Sequence, residues 1–147
     1  MENKPGKGTV LIVDDIEDYL HSLRNALERE FEVLTAISMD EAKRVMNEKV
    51  DLVLLDIRLD EDDPQNKDGI SLLKWCKERY SSKPVVMMSA YRDFDMAVDA
   101  LNLGASYFLR KPINISELKA LLKNLIEQTR LSEENILLKR RLSKYEW

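Results

Sequence analysis

Among its 147 residues the chain has one cysteine, Cys76, and one histidine, His21, and it carries no excess of positive charge. A lone cysteine excludes an intramolecular disulfide. With no secretory leader in view, the expected compartment is a reducing cytoplasm. His21 falls on the exposed face of a helical pattern, which argues against a metal-ligand or phosphodonor role. The formal net charge of −4 argues against a nucleic-acid surface in this segment. No apolar run approaches the ~18 residues needed to cross a bilayer, so no membrane span is expected. A glycine-rich phosphate loop is missing too. Gly6-Lys7-Gly8-Thr9 has some of its letters, but precedes a strand instead of linking a strand to a helix. What remains is a length that suits one domain with a real core and a short appendage.

Apolar runs and helical periodicity alternate along the chain. Residues 1–8 are polar, contain Gly and Pro, and read as a disordered lead. Strands are expected over residues 9–13, 32–36, 52–55, 84–88 and 107–109. Helices are expected over 18–29 and 39–48, after Gly69, over 94–103, and from about 116. Ser38 is the expected N-cap of the second helix, with Glu41 in capping-box position, and Ser116 that of the fifth. Gly104 is placed to close the fourth. Five strand–helix repeats imply an α/β fold with right-handed crossovers and helices on both faces of a parallel sheet. The last helix contains no Gly or Pro from Ser116 to Trp147. At ~1.5 Å per residue it reaches ~45 Å, more than the ~30 Å of a small domain. Its distal half must therefore leave the domain. The expected organisation is a domain over 9–128 and a helical linker over 129–147, leading toward an effector beyond Trp147.

The strand ends carry the chemistry. Asp14 and Asp15 follow Val10-Leu11-Ile12-Val13, and Asp56 follows Leu52-Val53-Leu54-Leu55. Ser89 follows Val85-Val86-Met87-Met88, and Lys111 follows Tyr107-Phe108-Leu109-Arg110 and precedes Pro112. Uninterrupted apolar runs suit strands buried on both faces. In such sheets the ligand crevice lies at the carboxyl ends of the strands. Three carboxylates, a hydroxyl and an amine would gather there, a set suited to a metal ion and a phosphoryl group.

At these residues the chain resembles the receiver domains of two-component response regulators. The resemblance covers residues 9–128. It is carried by Val13-Asp14-Asp15, Leu55-Asp56-Ile57-Arg58-Leu59, Asp68-Gly69, Met88-Ser89-Ala90, Leu103-Gly104-Ala105, Tyr107 and Lys111-Pro112. Any one of these is weak; all of them in order at successive strand ends are specific. The stretch from Asp93 to Pro112 and the leucine-rich helix after it are most similar to receivers of sigma-54-dependent, NtrC-like activators. The resemblance implies a flavodoxin-like (βα)5 doubly wound sheet with strand order 2-1-3-4-5 and an extended C-terminal helix. It also implies a phosphorylation switch that takes its phosphoryl group from a sensor histidine kinase. That switch reshapes the face of helix four, strand five and helix five to control an output domain, expected to be transcriptional. Two departures stand out. Ile16 occupies a position where many relatives carry an acid. The stretch Asp60-Glu61-Asp62-Asp63-Pro64-Gln65-Asn66-Lys67 lengthens the loop between Asp56 and Asp68-Gly69.

Asp56 is the expected nucleophile, because a carboxylate can attack phosphorus in line to give an acyl phosphate. Phosphoryl transfer otherwise needs mainly positioning and charge neutralisation. Three carboxylates within ~5 Å repel by ~3 kcal/mol per pair at an effective dielectric near 20, a cost a divalent cation removes. Hard oxygen donors with open positions suit Mg²⁺. By the resemblance, Asp15, Asp56 and the backbone carbonyl of Arg58 are the direct ligands, and Asp14 acts largely through water. Lys111 supplies an ammonium for the phosphoryl oxygens, aimed by a cis peptide to Pro112. Ser89 offers its hydroxyl to the same oxygens. Tyr107 matches the family's switch aromatic, which turns inward when the hydroxyl moves. Arg58 and Tyr91 flank the site. Each residue alone has a plainer reading as a turn, a cap or a strand exit; their combination points to chemistry.

Two other classes compete. An Asp-nucleophile phosphatase needs a second Asp two residues after the first, but Ile16 and Arg58 stand at those positions. A phosphorylation-independent interaction module is the other alternative. In the last helix, Leu118, Leu121, Leu122 and Leu125 recur at helical spacing and are expected to cover the domain core or a matching partner face. With Leu131 at heptad position d, Asn135, Leu138, Leu142 and Tyr145 continue an a/d seam. Glu134 and Lys139 fall at g and the next e, and Ile136 and Leu137 fall outside the seam. The expectation is a parallel homodimer through this helix, with Asn135 fixing its register.

Overall fold

A computed structural model of the chain describes residues 6–60, 63, 65–90 and 94–143. Glu61, Asp62, Pro64, Tyr91 and Tyr145 lie outside the described residues. Five strands and five helices alternate: β1 (Gly8–Val13), α1 (Glu17–Leu27), β2 (Phe31–Ala36), α2 (Met39–Val45), β3 (Leu52–Asp56), α3 (Asp68–Arg79), β4 (Val85–Ser89), α4 (Phe94–Asn102), β5 (Tyr107–Arg110) and α5 (Ile115–Ser143). The strands form one parallel sheet in the order β2-β1-β3-β4-β5, as the resemblance implied.

The uninterrupted apolar runs follow from this topology, because successive residues of a strand point to opposite faces. Leu11, Val13, Val53, Leu55, Val85 and Met87 pack on one face with Ala42, Leu72, Leu73, Cys76 and Ala100 from α2, α3 and α4. Val10, Ile12, Leu52, Leu54, Val86 and Met88 pack on the other with Leu20, Leu23 and Leu27 of α1 and Leu118, Leu122 and Ile126 of α5. In the central strands β1, β3 and β4 both faces are covered, so both residue parities are apolar through their middles.

Helix ends follow local capping chemistry. The Ser38 hydroxyl accepts from the Glu41 N–H at 3.1 Å, the expected cap of α2. α2 ends at Val45, three residues before the expected end, and Met46 is extended. The reason is Asn47: its amide donates to the Val45 carbonyl at 3.2 Å, and its side-chain oxygen accepts from the Lys49 N–H at 2.7 Å. A short polar side chain offers the backbone a turn in place of the helix. The cap of α5 also differs from the expectation at Ser116. Asn114 Oδ1 accepts from the Glu117 N–H at 3.0 Å, and the Asn114 carbonyl accepts from Leu118 N–H. α4 closes on Gly104, whose φ of 105° a residue with a Cβ rarely adopts. Ala105 N–H then bonds the Ala100 carbonyl and Gly104 N–H the Leu101 carbonyl, a Schellman closure.

α5 runs 29 residues, a length of ~44 Å. Its first half is seated by Leu118, Leu122 and Ile126. Lys119 and Lys123 reach Glu30 at 3.3 and 2.9 Å, and Arg130 lies 3.8 Å from Asp51. From Leu131 to Ser143 every residue is exposed. Among the described residues, no helix is long and apolar enough to cross a membrane.

Candidate functional site at the carboxyl ends of the strands

The site forms where β1, β3, β4 and β5 end. Asp14 and Asp56 leave their strands in register with the sheet and are buried, at 0% and 2% exposure. Three carboxylates, Asp14, Asp15 and Asp56, each place one oxygen within 4.8 Å of the others. Backbone bonds fix two of them. Ile16 N–H donates to Asp14 Oδ1 at 2.9 Å, and Arg58 N–H to Asp56 Oδ1 at 3.3 Å. Asp14 N–H itself donates to the Ala36 carbonyl at 3.1 Å, which ties the acidic turn to β2.

Lys111 enters from the end of β5, across a cis peptide to Pro112. Its own N–H donates to the Ser89 carbonyl at 2.8 Å, so β4 sets its height. The ammonium donates to Asp14 Oδ2 at 2.8 Å and reaches Asp56 Oδ2 at 3.4 Å. Its closer partner is therefore Asp14. Ser89 is fully buried at the end of β4, the strand next to Asp56.

Close approach of α3 completes the pocket wall. A Cβ on Gly69 would land on the Ile57 carbonyl oxygen and lie 2.6 Å from the Asp56 carbonyl oxygen. Only glycine lets α3 start against the strand end that carries Asp56. The lengthened loop is partly fastened: Asn66 Oδ1 accepts from Leu59 N–H at 3.2 Å and Asp68 N–H at 3.1 Å.

The electrostatics follow from burial. Desolvation, together with the nearby charge of Asp14, pushes the Asp56 carboxyl up to about 7, against the pull of Lys111 and the Arg58 N–H. Burial alone would lower the Lys111 ammonium. Its hydrogen bond to Asp14 and the charges of Asp56 and Asp14 outweigh that, and the net direction is up. Tyr19 of α1 also reaches this cluster, with the Lys111 ammonium 4.3 Å from its ring centroid. Burial raises its phenol, with Lys111 opposing and the two aspartates adding to the shift.

The structure thus brings together Asp14, Asp15, Asp56 and Lys111, with Ser89 on the adjoining strand end. Tyr107 stands apart, at the far end of β5 opposite Val86, and is half exposed. His21 is exposed on α1, away from this cluster's contacts. Sequence reasoning missed the reach of Tyr19 into the site. The available signal was an aromatic one helical turn after Asp15.

A family model described as the response regulator receiver domain matches residues 10–123. The chain belongs to this family. Relatives include the DNA-binding transcriptional regulator NtrC of Proteus hauseri, 38% identical over 138 residues that cover 89% of this chain and 28% of that protein. A putative NtrX-like response regulator of Rickettsia bellii is 38% identical over 132 residues, covering 88% of this chain and 27% of that protein. Among solved structures, NtrX from Brucella abortus in complex with ADP superposes with a TM-score of 0.83 at 31% identity, over 94% of this chain and 30% of that one. The isolated receiver domain of the same NtrX gives 0.71 at 32% identity, over 80% of this chain and 98% of that one. The chain spans little more than a quarter of the curated relatives it matches. It is a receiver of the NtrC and NtrX type, and receivers of this family are switch domains that accept phosphoryl groups from histidine kinases.

Proposed function

We propose that Asp56 is the phosphoacceptor of this receiver. The observation that carries the reading is the buried Asp56 carboxylate beside a second buried acid and a cation that touches both. A carboxylate oxygen of Asp56 attacks the phosphorus of a phosphohistidine on a sensor kinase. The O–P bond forms as the P–N bond breaks, and the imidazole leaves. Lys111 turns from Asp14 toward the incoming phosphoryl oxygens, and the Ser89 hydroxyl donates to the same oxygens. Three clustered carboxylates fit a hard divalent ion: Asp15, Asp56 and the Arg58 carbonyl would hold Mg²⁺ directly, and Asp14 through water. Bound there, Mg²⁺ supplies positive charge for the phosphoryl oxygens. The chain is a phosphoacceptor and not a multiple-turnover enzyme.

The output face is that of α4, β5 and α5. Exposed apolar side chains on α4 and β5, Val98, Leu101 and Tyr107, support it. Inward rotation of Tyr107, when Ser89 engages the phosphoryl group, is the change that partners there would read. α5 extends as a parallel homodimer helix. Leu131, Leu138 and Leu142 of the expected seam are at least half exposed, as are Ile136 and Leu137 outside it. Output is transcriptional, in a domain outside this segment, and the segment itself binds neither DNA nor membrane. The compartment is the cytoplasm, which suits the lone buried thiol of Cys76.

The test is Mg²⁺-dependent labelling of the chain by acetyl phosphate. Wild type is expected to take up one acid-labile phosphoryl group, and Asp56→Asn none. Undiminished labelling of that variant overturns the assignment. Labelling of neither protein favours an interaction module that works without phosphate.

A further inference from the structure

Tyr19 stands in the first turn of α1, four residues after Asp15, and is half-buried against the apolar layer beneath the site. Its ring centroid lies 4.3 Å from the Lys111 ammonium. That lysine side chain is only 9% exposed, donates to Asp14 at 2.8 Å and reaches Asp56 at 3.4 Å. An ammonium has three N–H donors on a flexible four-carbon stem. Two directions are taken by carboxylates, and a third side of the cation meets the ring face. An aromatic face attracts a cation through its quadrupole, most strongly where water is excluded. Unlike a third carboxylate, it adds no charge to a pocket that already holds three acids. It also demands no single donor direction, so the ammonium can turn from Asp14 toward a phosphoryl oxygen and stay in contact.

We infer that Tyr19 is a positioning residue for phosphoryl transfer: its ring is the shelf that holds the Lys111 ammonium at the level of the Asp56 carboxylate and keeps water from the cation's open side. The inference rests on the reading of Asp56 as phosphoacceptor and Lys111 as the cation for the phosphoryl oxygens. It assigns the work to the ring and none to the hydroxyl. Tyr19→Phe keeps the shelf, whereas Tyr19→Leu keeps apolar bulk in the core and loses it.

The experiment uses the full chain at saturating Mg²⁺, with acetyl phosphate as donor. An Asp56 oxygen–phosphorus bond forms as the bond to acetate breaks, and acetate leaves with the electron pair. Tyr19→Phe is expected to react within about twofold of wild type, and Tyr19→Leu roughly 3- to 30-fold more slowly, with Mg²⁺ affinity unchanged. In a Lys111→Ala background, Tyr19→Leu is expected to add no further loss. By NMR, the Lys111 ε-methylene protons are expected upfield in wild type and Tyr19→Phe, shifted by the ring current, and at ordinary positions in Tyr19→Leu. The inference is overturned by a Tyr19→Leu chain as fast as wild type, by a Tyr19→Phe chain as slow as Tyr19→Leu, or by a loss that persists without Lys111. Unshifted ε-methylene protons in wild type also overturn it, whatever the fate of the variants. A wild type that takes up no phosphate overturns both readings together. A labelled wild type with an equally fast Tyr19→Leu variant overturns this one alone.

Discussion

Removing the charge of Asp56 without changing its shape isolates the electrostatic cost of the acidic pocket. Asp14 and Asp56 each place an oxygen within 4.8 Å of the other. At that separation two carboxylates repel by ~3 kcal/mol at an effective dielectric near 20. Lys111 is shared between them, at 2.8 and 3.4 Å, and offsets only part of this. Desolvation by burial, with this repulsion from Asp14 adding to it, raises the Asp56 carboxyl to about 7 in the folded chain, from ~3.9 when unfolded. The unfolded state therefore releases its proton first as pH rises. Between about pH 4 and 7 the folded state holds more protons, and wild-type stability falls across that window. The full shift corresponds to about 4 kcal/mol as an upper bound, against a typical domain stability of ~5–15 kcal/mol. Asp56→Asn has no such proton to lose. Urea melts in chelator are expected to show the two proteins similar near pH 4.5, and the variant increasingly more stable toward pH 8, by ~2–4 kcal/mol. Millimolar Mg²⁺ is expected to narrow the gap, because only wild type keeps the full donor set. A difference that stays flat from pH 4.5 to 8, or a wild type more stable than the variant at pH 8 without metal, refutes the reasoning.

Gly69→Ala forces α3 away from the strand end carrying Asp56. It is expected to lose ~1–3 kcal/mol in chemical denaturation and to slow labelling of Asp56 as well. Leu122→Ala empties a fully buried position under α5 and is expected to cost ~2–5 kcal/mol in the same melts without altering Mg²⁺ affinity. Neutralising Asp60, Glu61, Asp62 and Asp63 removes four negative charges from the loop that follows Asp56 in sequence, and at physiological salt such charges act over a Debye length of ~8 Å. Mg²⁺ affinity or phosphorylation rate is expected to change, and constancy of both identifies the loop as solvated surface. Sedimentation of the full chain against one ending at Gln128 tests the helix dimer. The longer chain is expected to associate at tens of micromolar, and two monomers, with or without a phosphate mimic, end the dimer reading.

The sheet was legible because the central strands β1, β3 and β4, covered on both faces, leave an unbroken apolar signature, and each of those three runs ended at a residue that enters the site. The Schellman closure was legible in Gly104 for a similar reason, since one backbone conformation there excludes side chains. Helix limits were harder where two polar residues compete. Asn47 stops α2 by bonding the backbone on both sides of itself. Asn114 takes the α5 cap in place of Ser116, and Asn114 with Glu117 is the capping-box spacing that could have located it. The set of site residues could be read because each follows a strand. Their partnerships could not. The Lys111–Asp14 bond spans 97 residues, and the Tyr19 contact depends on the direction a side chain takes off a helix.

α5 is one uninterrupted rod with two mechanical regimes. Up to Arg130 it is bolted to the sheet by buried leucines and by the Glu30 and Asp51 carboxylates. The thirteen residues from Leu131 to Ser143 are all exposed and span ~20 Å. Such a rod is a lever with its pivot at the domain edge: a tilt of about 10° at the base, too small to disturb the core, sweeps its tip by about 3 Å. Stiffness has a second effect. With no glycine or proline to interrupt those residues, a twist of α5 about its own axis is carried along the helix toward Ser143. Whatever reads this domain through the helix therefore senses angle as well as displacement.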